Sequence, residues 1–161
     1  MPRVALEAVI EAPWGPVRVT TTHLEYYSGV QRAAQVARLR ELHAEAVGHS
    51  EARPSARYDS GPFHPYPRPA SSILTGDFNM KPDDPLVAEL LRDYKDAWSV
   101  AHPGEPHPPT FCLHGKEHGS APYCCDFVFV SEDLAARVAT VKVDLDCQAS
   151  DHQPVLIEFK K

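Results

Sequence analysis

Proline sets the first limit on this chain. Sixteen of its 161 residues are proline. Inside a helix or a central strand, proline removes a backbone donor and clashes with the preceding turn. Pro54, Pro62, Pro65, Pro67 and Pro69 crowd one stretch, and Pro103, Pro106, Pro108, Pro109 and Pro122 another. Residues 48–70 and 102–122 are therefore expected as loops. The first is long enough to be an insertion, a lid or a binding loop, because structureless connections of this length are uncommon inside compact domains.

Between these loops the periodicity is readable. Residues 4–11 alternate, with Val4, Leu6, Ala8 and Ile10 on one side and Glu7 and Glu11 on the other. Residues 17–24 form a second β-rich run, and Pro13-Trp14-Gly15-Pro16 between them is a turn, so a hairpin is expected. Residues 31–47 read as a helix with Val36, Leu39, Leu42 and Ala46 on one stripe. Short strands are expected at 71–75, 125–130, 138–145 and 154–159. A helix is expected at 85–91, capped by Asp84 with Pro85 at its first position. Hairpins and helices mix without a regular βαβ rhythm, so the fold class is α/β (α+β), a layered sandwich with mixed sheets and outer helices.

The length gives one domain over 1–161 with the insertion at 48–70. Hydrophobic residues are 43% and charged residues 24%, which suits a globular chain. No apolar run reaches the ~20 residues of a membrane helix, and the N-terminus lacks the apolar stretch of a signal peptide, so a cytoplasmic protein is expected. The net charge of −6 disfavours sequence-blind binding to a polyanion. A phosphate substrate stays open, since a divalent cation can supply local positive charge. Cys112, Cys124, Cys125 and Cys147 contain no CxxC pair and are expected as free thiols.

The polar residues of interest follow apolar strands: His23, Asp77 with Asn79, Asp126, and Asp151 with His152. A single acid at a strand end is usually a turn residue. Together, however, three Asp, two His and one Asn suit metal-assisted phosphoester hydrolysis. Carboxylates hold Mg²⁺, a histidine takes a proton from water, and imidazole and amide groups hydrogen-bond the phosphoryl oxygens. A zinc site from Cys112, His114, His118 and Cys124 fits no common finger spacing. His43 is expected at the helix boundary, His49, His64, His102 and His107 in solvated loops, and Trp14 and Trp98 packed over sheet edges. Tyr58, Phe63 and Tyr66 either close over a ligand or belong to an unstructured insertion.

Thr22-His23-Leu24, Arg32-Ala33-Ala34-Gln35, Gly76-Asp77-Phe78-Asn79, Asp96-Ala97-Trp98, Pro109-Thr110-Phe111, Cys125-Asp126-Phe127-Val128-Phe129 and Ser150-Asp151-His152-Gln153-Pro154-Val155 occur in this order. The set resembles the C-terminal half of the endonuclease/exonuclease/phosphatase superfamily, which has a deoxyribonuclease-I-like fold. The resemblance implies a divalent-metal-dependent phosphoester hydrolase: a phosphodiesterase, nuclease or phosphatase. It implies His152 as general base held by Asp126, Asp77 orienting the water, and Asn79 and His23 on the scissile phosphate. Asp151, Asp77 and Asn79 are the implied metal ligands, for Mg²⁺ or Mn²⁺. The implied partner is a phosphoester substrate, whether small molecule, lipid headgroup or nucleic acid.

Three departures stand beside the resemblance. The family's first-strand Asn and chief metal-binding Glu have no counterpart; Glu7, Glu11 and Glu25 are the only early candidates. The 48–70 segment replaces a short connection. Tyr123-Cys124-Cys125 stands where a basic and an aliphatic residue are usual. The alternative reading is a catalytically incompetent scaffold or binding fragment of the same fold. Self-association, or pairing with a missing N-terminal half, is expected, with faces such as Val17/Val19 or Phe127/Phe129 left exposed.

Overall fold

The computed structural model describes residues 3–52, 67–115 and 121–160. Most of the expected 48–70 insertion, with Tyr58, Phe63, His64 and Tyr66, lies outside the described residues, as does His118.

Strands β1 (Ala5–Ala12) and β2 (Gly15–His23) form the expected antiparallel hairpin, closed where Ala12 faces Gly15. Helix α1 (Gly29–Glu51) then crosses back to β3 (Ser72–Asp77), which runs parallel to β2. Helix α2 (Pro85–Leu90) leads to the two-residue strand β4 (Lys95–Asp96) and helix α3 (Ala97–Ala101). Strand β5 (Asp126–Val130), helix α4 (Glu132–Ala135) and the antiparallel pair β6 (Val138–Val143) and β7 (Val155–Phe159) complete the chain. The main sheet has the order β1-β2-β3-β5-β4, and β6-β7 form a second, two-stranded sheet.

Both faces of the main sheet are covered, and β5 explains how. Phe127 and Phe129 point to one side, joining Leu24, Leu74 and Phe78 under Val36 and Leu39 of α1 and Val87 and Leu90 of α2. Val128 and Val130 point to the other, packing with Val17, Val138, Val141, Ile157 and Phe159 against the small sheet. A strand buried on both faces needs a continuous apolar run, which is what residues 127–130 supply. Phe127 and Phe129 are 3% and 0% exposed and Val17 is 1% exposed, so they are core and not the exposed faces expected from sequence.

Other boundaries differ for local reasons. Helix α1 begins at Gly29, where the Ser28 side chain accepts from the Gln31 N–H, and continues through Glu51, so residues 48–51 and His49 are helical rather than loop. The covered stripe of α1 is Val36, Leu39, His43 and Ala46, with His43 in place of Leu42 as the buried residue. In β1 the apolar set Leu6, Ala8 and Ile10 faces outward, and Glu7 turns to the covered side. The cause lies across the hairpin. Arg18 is only 1% exposed, and its guanidinium meets Glu7 Oε2 at 3.1 Å and His43 Nδ1 at 2.8 Å. A buried guanidinium needs its acceptors, so this requirement overrides the hydrophobic phase of β1. Asp84 caps α2 as expected, accepting from the Leu86 N–H.

Candidate active site

The pairing register builds the first half of the site. His23 ends β2 opposite Asp77 of β3, and Asp77 in turn lies opposite Asp126 of β5. One row across three adjacent strands therefore carries His23, Asp77 and Asp126. His23 Nε2 is 3.3 Å from Asp77 Oδ2. Gly76, just before, has φ +142°, and a Cβ there would sit 1.8 Å from the Thr22 carbonyl oxygen. Only glycine lets β3 approach β2 this closely at the point where the row forms.

The next residues lock the turn after β3. Phe78 is fully buried and meets Phe127 and Phe129 edge-on at 5.9 and 5.1 Å between ring centroids. Asn79 adopts φ +52°, a left-handed conformation that asparagine tolerates. Its backbone N–H donates to Asp77 Oδ1 at 2.8 Å, and its side-chain Nδ2 donates to the Leu24 carbonyl at 2.8 Å. Asp77 is thereby oriented by the residue two places on, and Asn79 keeps its side-chain carbonyl oxygen and its second amide hydrogen to offer a ligand.

The second half arrives from the C-terminal loop. Residues 110–112 strap it down: the Gln153 N–H donates to the Thr110 carbonyl at 2.7 Å, and the Cys112 N–H to the Asp151 carbonyl at 2.9 Å. The strap seats the His152 ring against Phe111, 4.8 Å between centroids. His152 Nδ1 lies 2.9 Å from Asp126 Oδ2, and its Nε2 lies 3.9 Å from Asp77 Oδ2. An Nδ1–H donating to Asp126 leaves the Nε2 lone pair facing the Asp77 side of the site.

Asp126 has a second partner, Thr110 of the Pro109-Thr110-Phe111 motif, for which no site role was expected. Thr110, 1% exposed, donates its hydroxyl to the same Asp126 Oδ2 at 2.6 Å, and its oxygen accepts from the Cys125 and Asp126 N–H groups at 3.1 Å each. A chain of hydrogen bonds thus runs from backbone through Thr110 and Asp126 to His152. Burial opposes protonation of His152. The hydrogen bond that Nδ1–H donates to Asp126 and the charges of Asp126, Asp77 and Asp151 outweigh it and hold the imidazole pKa above 6.5.

Five of the six residues picked from sequence, His23, Asp77, Asn79, Asp126 and His152, are linked by these contacts. Asp151 is adjacent and exposed, and its side chain accepts from Ser150 Oγ at 3.2 Å. Among the described residues, the three side chains whose donor atoms come within 4.8 Å of one another are Asp77, Cys125 and His152. Asp151 is outside this group and Cys125 is inside it. Cys125 is 1% exposed, and its thiol donates to Asp126 Oδ2 at 3.4 Å. Burial first, then the Asp126 and Asp77 charges, push its pKa up. Glu7 pairs with Arg18 and Arg68, and Glu25 with Arg3 and the Tyr27 N–H, so neither joins the group.

The remaining expectations sort readily. Cys112 donates to the Gly115 carbonyl, Cys124 to the Asp126 carbonyl, and His114 contacts the Leu145 carbonyl; these three make no close donor group among the described residues. His102 and His107 are packed rather than solvated. His102 stacks on Trp98 at 4.0 Å, and His107 Nε2 is 2.9 Å from Asp96, which caps α3 through the Trp98 and Ser99 N–H groups. Trp14 packs against Phe159 at 5.7 Å, in line with a structural role.

Helices α1 and α2 on one face of a mixed main sheet, the small sheet with α3 and α4 on the other, and a His–Asp site at the strand ends define a deoxyribonuclease-I-like α/β sandwich. The sequence model of the Endonuclease/Exonuclease/phosphatase family matches residues 9–152, and the chain belongs to that family. No curated protein matches the sequence. Among solved structures, a mannosyl-6-phosphatase of Bacteroides thetaiotaomicron superposes with TM-score 0.70 at 17% identity, covering 100% of this chain and 58% of that one. An endonuclease/exonuclease/phosphatase of Bacteroides vulgatus gives TM-score 0.69 at 19% identity, covering 98% and 56%. A 3′ phosphatase from Neisseria, bound to product DNA hairpin, gives 0.62 at 21%, covering 90% and 62%. The chain spans 56–62% of the length of these three structures. No helix among the described residues is long and apolar enough to cross a membrane.

Proposed function

We propose that this chain carries the general-base half of a divalent-metal-dependent phosphoester hydrolase, with His152 as the base. The observation that carries the reading is the hydrogen-bonded series Thr110, Asp126, His152, which ends at an imidazole nitrogen beside Asp77. Asp126 fixes the tautomer and stabilises the imidazolium that forms when Nε2 takes a proton from water. Asp77 accepts a hydrogen bond from the water's other O–H and so aligns its lone pair. His23 and the Asn79 amide bind the phosphoryl oxygens, where negative charge builds up.

The expected Mg²⁺ or Mn²⁺ finds an incomplete donor set among the described residues. A hard octahedral cation asks for oxygen ligands. Asp77 and the Asn79 carbonyl oxygen qualify, but the third close donor beside Asp77 is a thiol, and Asp151 is outside the group. Hydrolysis then needs further oxygen ligands beyond Asp77 and Asn79, such as a longer protein containing this segment would supply. Four free cysteines suit a reducing, cytoplasmic compartment. The outward Val4, Leu6 and Ile10 of the hairpin, 77%, 66% and 48% exposed, are the apolar surface through which the chain would self-associate.

Substrate class is tested with three esters: bis(p-nitrophenyl) phosphate, a sugar 6-phosphate and a DNA hairpin bearing a 3′ phosphate. Turnover of any one with Mn²⁺ or Mg²⁺, lost in His152→Ala, supports the reading. Equal rates in wild type and His152→Ala on every substrate would sink it.

A further inference from the structure

We propose that Asp77, Cys125 and His152 form a site for a thiophilic divalent cation of the zinc type, and that its occupation shuts down the base. The inhibitory consequence rests on the reading of His152 given above; the binding site itself does not.

Geometry comes first. Three donor atoms mutually within 4.8 Å share a point no more than about 2.8 Å from each of them. Zinc bonds are roughly 2.0–2.3 Å long, so small side-chain rotations close the remaining gap. The donors are one carboxylate, one imidazole and one thiol, a mixture that suits zinc and not magnesium. Protein-held zinc commonly takes three side chains and leaves a fourth position for water.

The surroundings favour such an ion. A metal-ligating histidine usually donates its other ring N–H to a carboxylate, and His152 Nδ1 already lies 2.9 Å from Asp126. Thr110 holds that carboxylate from behind at 2.6 Å. Asp126 and Asp151 flank the group and lower the local potential toward a cation. Asp77 and His152 side chains retain 13% and 32% exposure, which gives the ion a way in, while the thiol forms the buried floor. On binding, the thiol proton leaves to solvent as the metal–sulfur bond forms, and the imidazole Nε2 lone pair becomes a ligand. The same lone pair is the one that would accept the water proton, so the metal-bound form has no base. Cys124, the preceding residue, turns its thiol to the Asp126 carbonyl and is not part of the group.

The test begins with the wild-type 161-residue chain and one equivalent of Zn²⁺. X-ray absorption should show one sulfur at about 2.3 Å with nitrogen and oxygen neighbours; a shell of nitrogen and oxygen alone overturns the site. Competition against a chromogenic chelator should give one zinc per chain. Cys125→Ser should weaken it by more than the ~10–100-fold that an outer-shell change costs, and Asp77→Asn should weaken it as well. Cys112→Ser and Cys124→Ser should leave it intact. Unchanged affinity in Cys125→Ser, or loss in Cys112→Ser, overturns the assignment. Because the absorption measurement uses the unaltered chain, poor folding of a variant does not blunt it. Zinc bound through sulfur, with phosphoester turnover equal in wild type and His152→Ala, would refute the hydrolase reading and keep the site. Hydrolysis with no sulfur-bound zinc would do the reverse.

Discussion

Two histidines stand at opposite ends of β3 and have opposite surroundings. His43, from α1, lies near Ser72 at the start of the strand, and its Nδ1 faces the buried Arg18 guanidinium at 2.8 Å. His152 lies beyond Asp77 at the other end, and its Nδ1 faces Asp126 at 2.9 Å. Burial, then the Arg18 charge, pushes the His43 pKa below 6.5, whereas the carboxylates around His152 push its pKa above 6.5 against burial. Burial alone therefore does not mark a working imidazole. Burial opposes a charge on both rings, and the sign of the neighbour separates them: the Arg18 cation adds to burial at His43, and the carboxylates override it at His152.

The largest expected effect breaks the comparison at the site end. His152→Ala should lower turnover of a phosphoester by ~10²–10⁴-fold, the usual range for a general base. His43→Ala should leave the chemical step nearly intact and appear instead as lowered stability in denaturant titration. Similar turnover losses in both variants would erase the distinction drawn here.

At the structural end, Arg18→Met removes one member of a buried, hydrogen-bonded charge pair. The cost should be roughly 3 kcal/mol, near the lower limit for breaking such pairs because Glu7 keeps some water contact. Urea unfolding measures it, and a change under 1 kcal/mol would mean the pair contributes little. Gly76→Ala should be at least as damaging in the same assay, since a Cβ has no room against the Thr22 backbone.

A finer test uses pH. The base must be neutral to accept a proton, so the acidic limb of the rate profile should lie above 6.5 in wild type. Asp126→Asn removes the first of the contributions that raise it, and the limb should move to lower pH. A stationary limb would separate Asp126 from the base.

The smallest effect is on the pH dependence of stability. His43 has a lowered folded-state pKa, so the unfolded chain takes the proton first and stability is lost as pH falls below 6.5. His152 has a raised one, so its contribution is complete below 6.5 and is lost as pH rises through the folded value. His43→Asn keeps an acceptor for Arg18 and should flatten only the acidic slope; His152→Asn should flatten only the other. Chemical denaturation between pH 5 and 8 distinguishes them, and a shared slope change would contradict opposite charges at the two ends.

Much of this was legible residue by residue. The hairpin, the capped helix α2 and the apolar run of β5 follow from local pattern, because alternation, proline at a first helical turn and turn residues act over a few positions. The His, Asp and Asn residues of the site could also be picked, since their chemistry and their places after strands mark them. Thr110 falls in the quoted Pro109-Thr110-Phe111 motif, but its part in the site was not legible. Its hydroxyl matters only because β5 and the C-terminal loop meet it, and sequence spacing carries no record of that meeting. The same holds for the outward phase of β1. Alternation shows two faces but not which one a buried arginine from the next strand will claim.

The sequence by itself determined which chemical groups are available and which short segments are strands, helices and turns. Those choices depend on backbone preference and on neighbours within a turn or a pleat. The tertiary structure alone decided that Asp126 faces Thr110, that Arg18 faces His43, and that Cys125 rather than Asp151 joins Asp77. These pairs span from 16 to 48 positions of chain. Such contacts are fixed by strand register and by the demand that buried charges find partners, and neither acts until the sheet has closed.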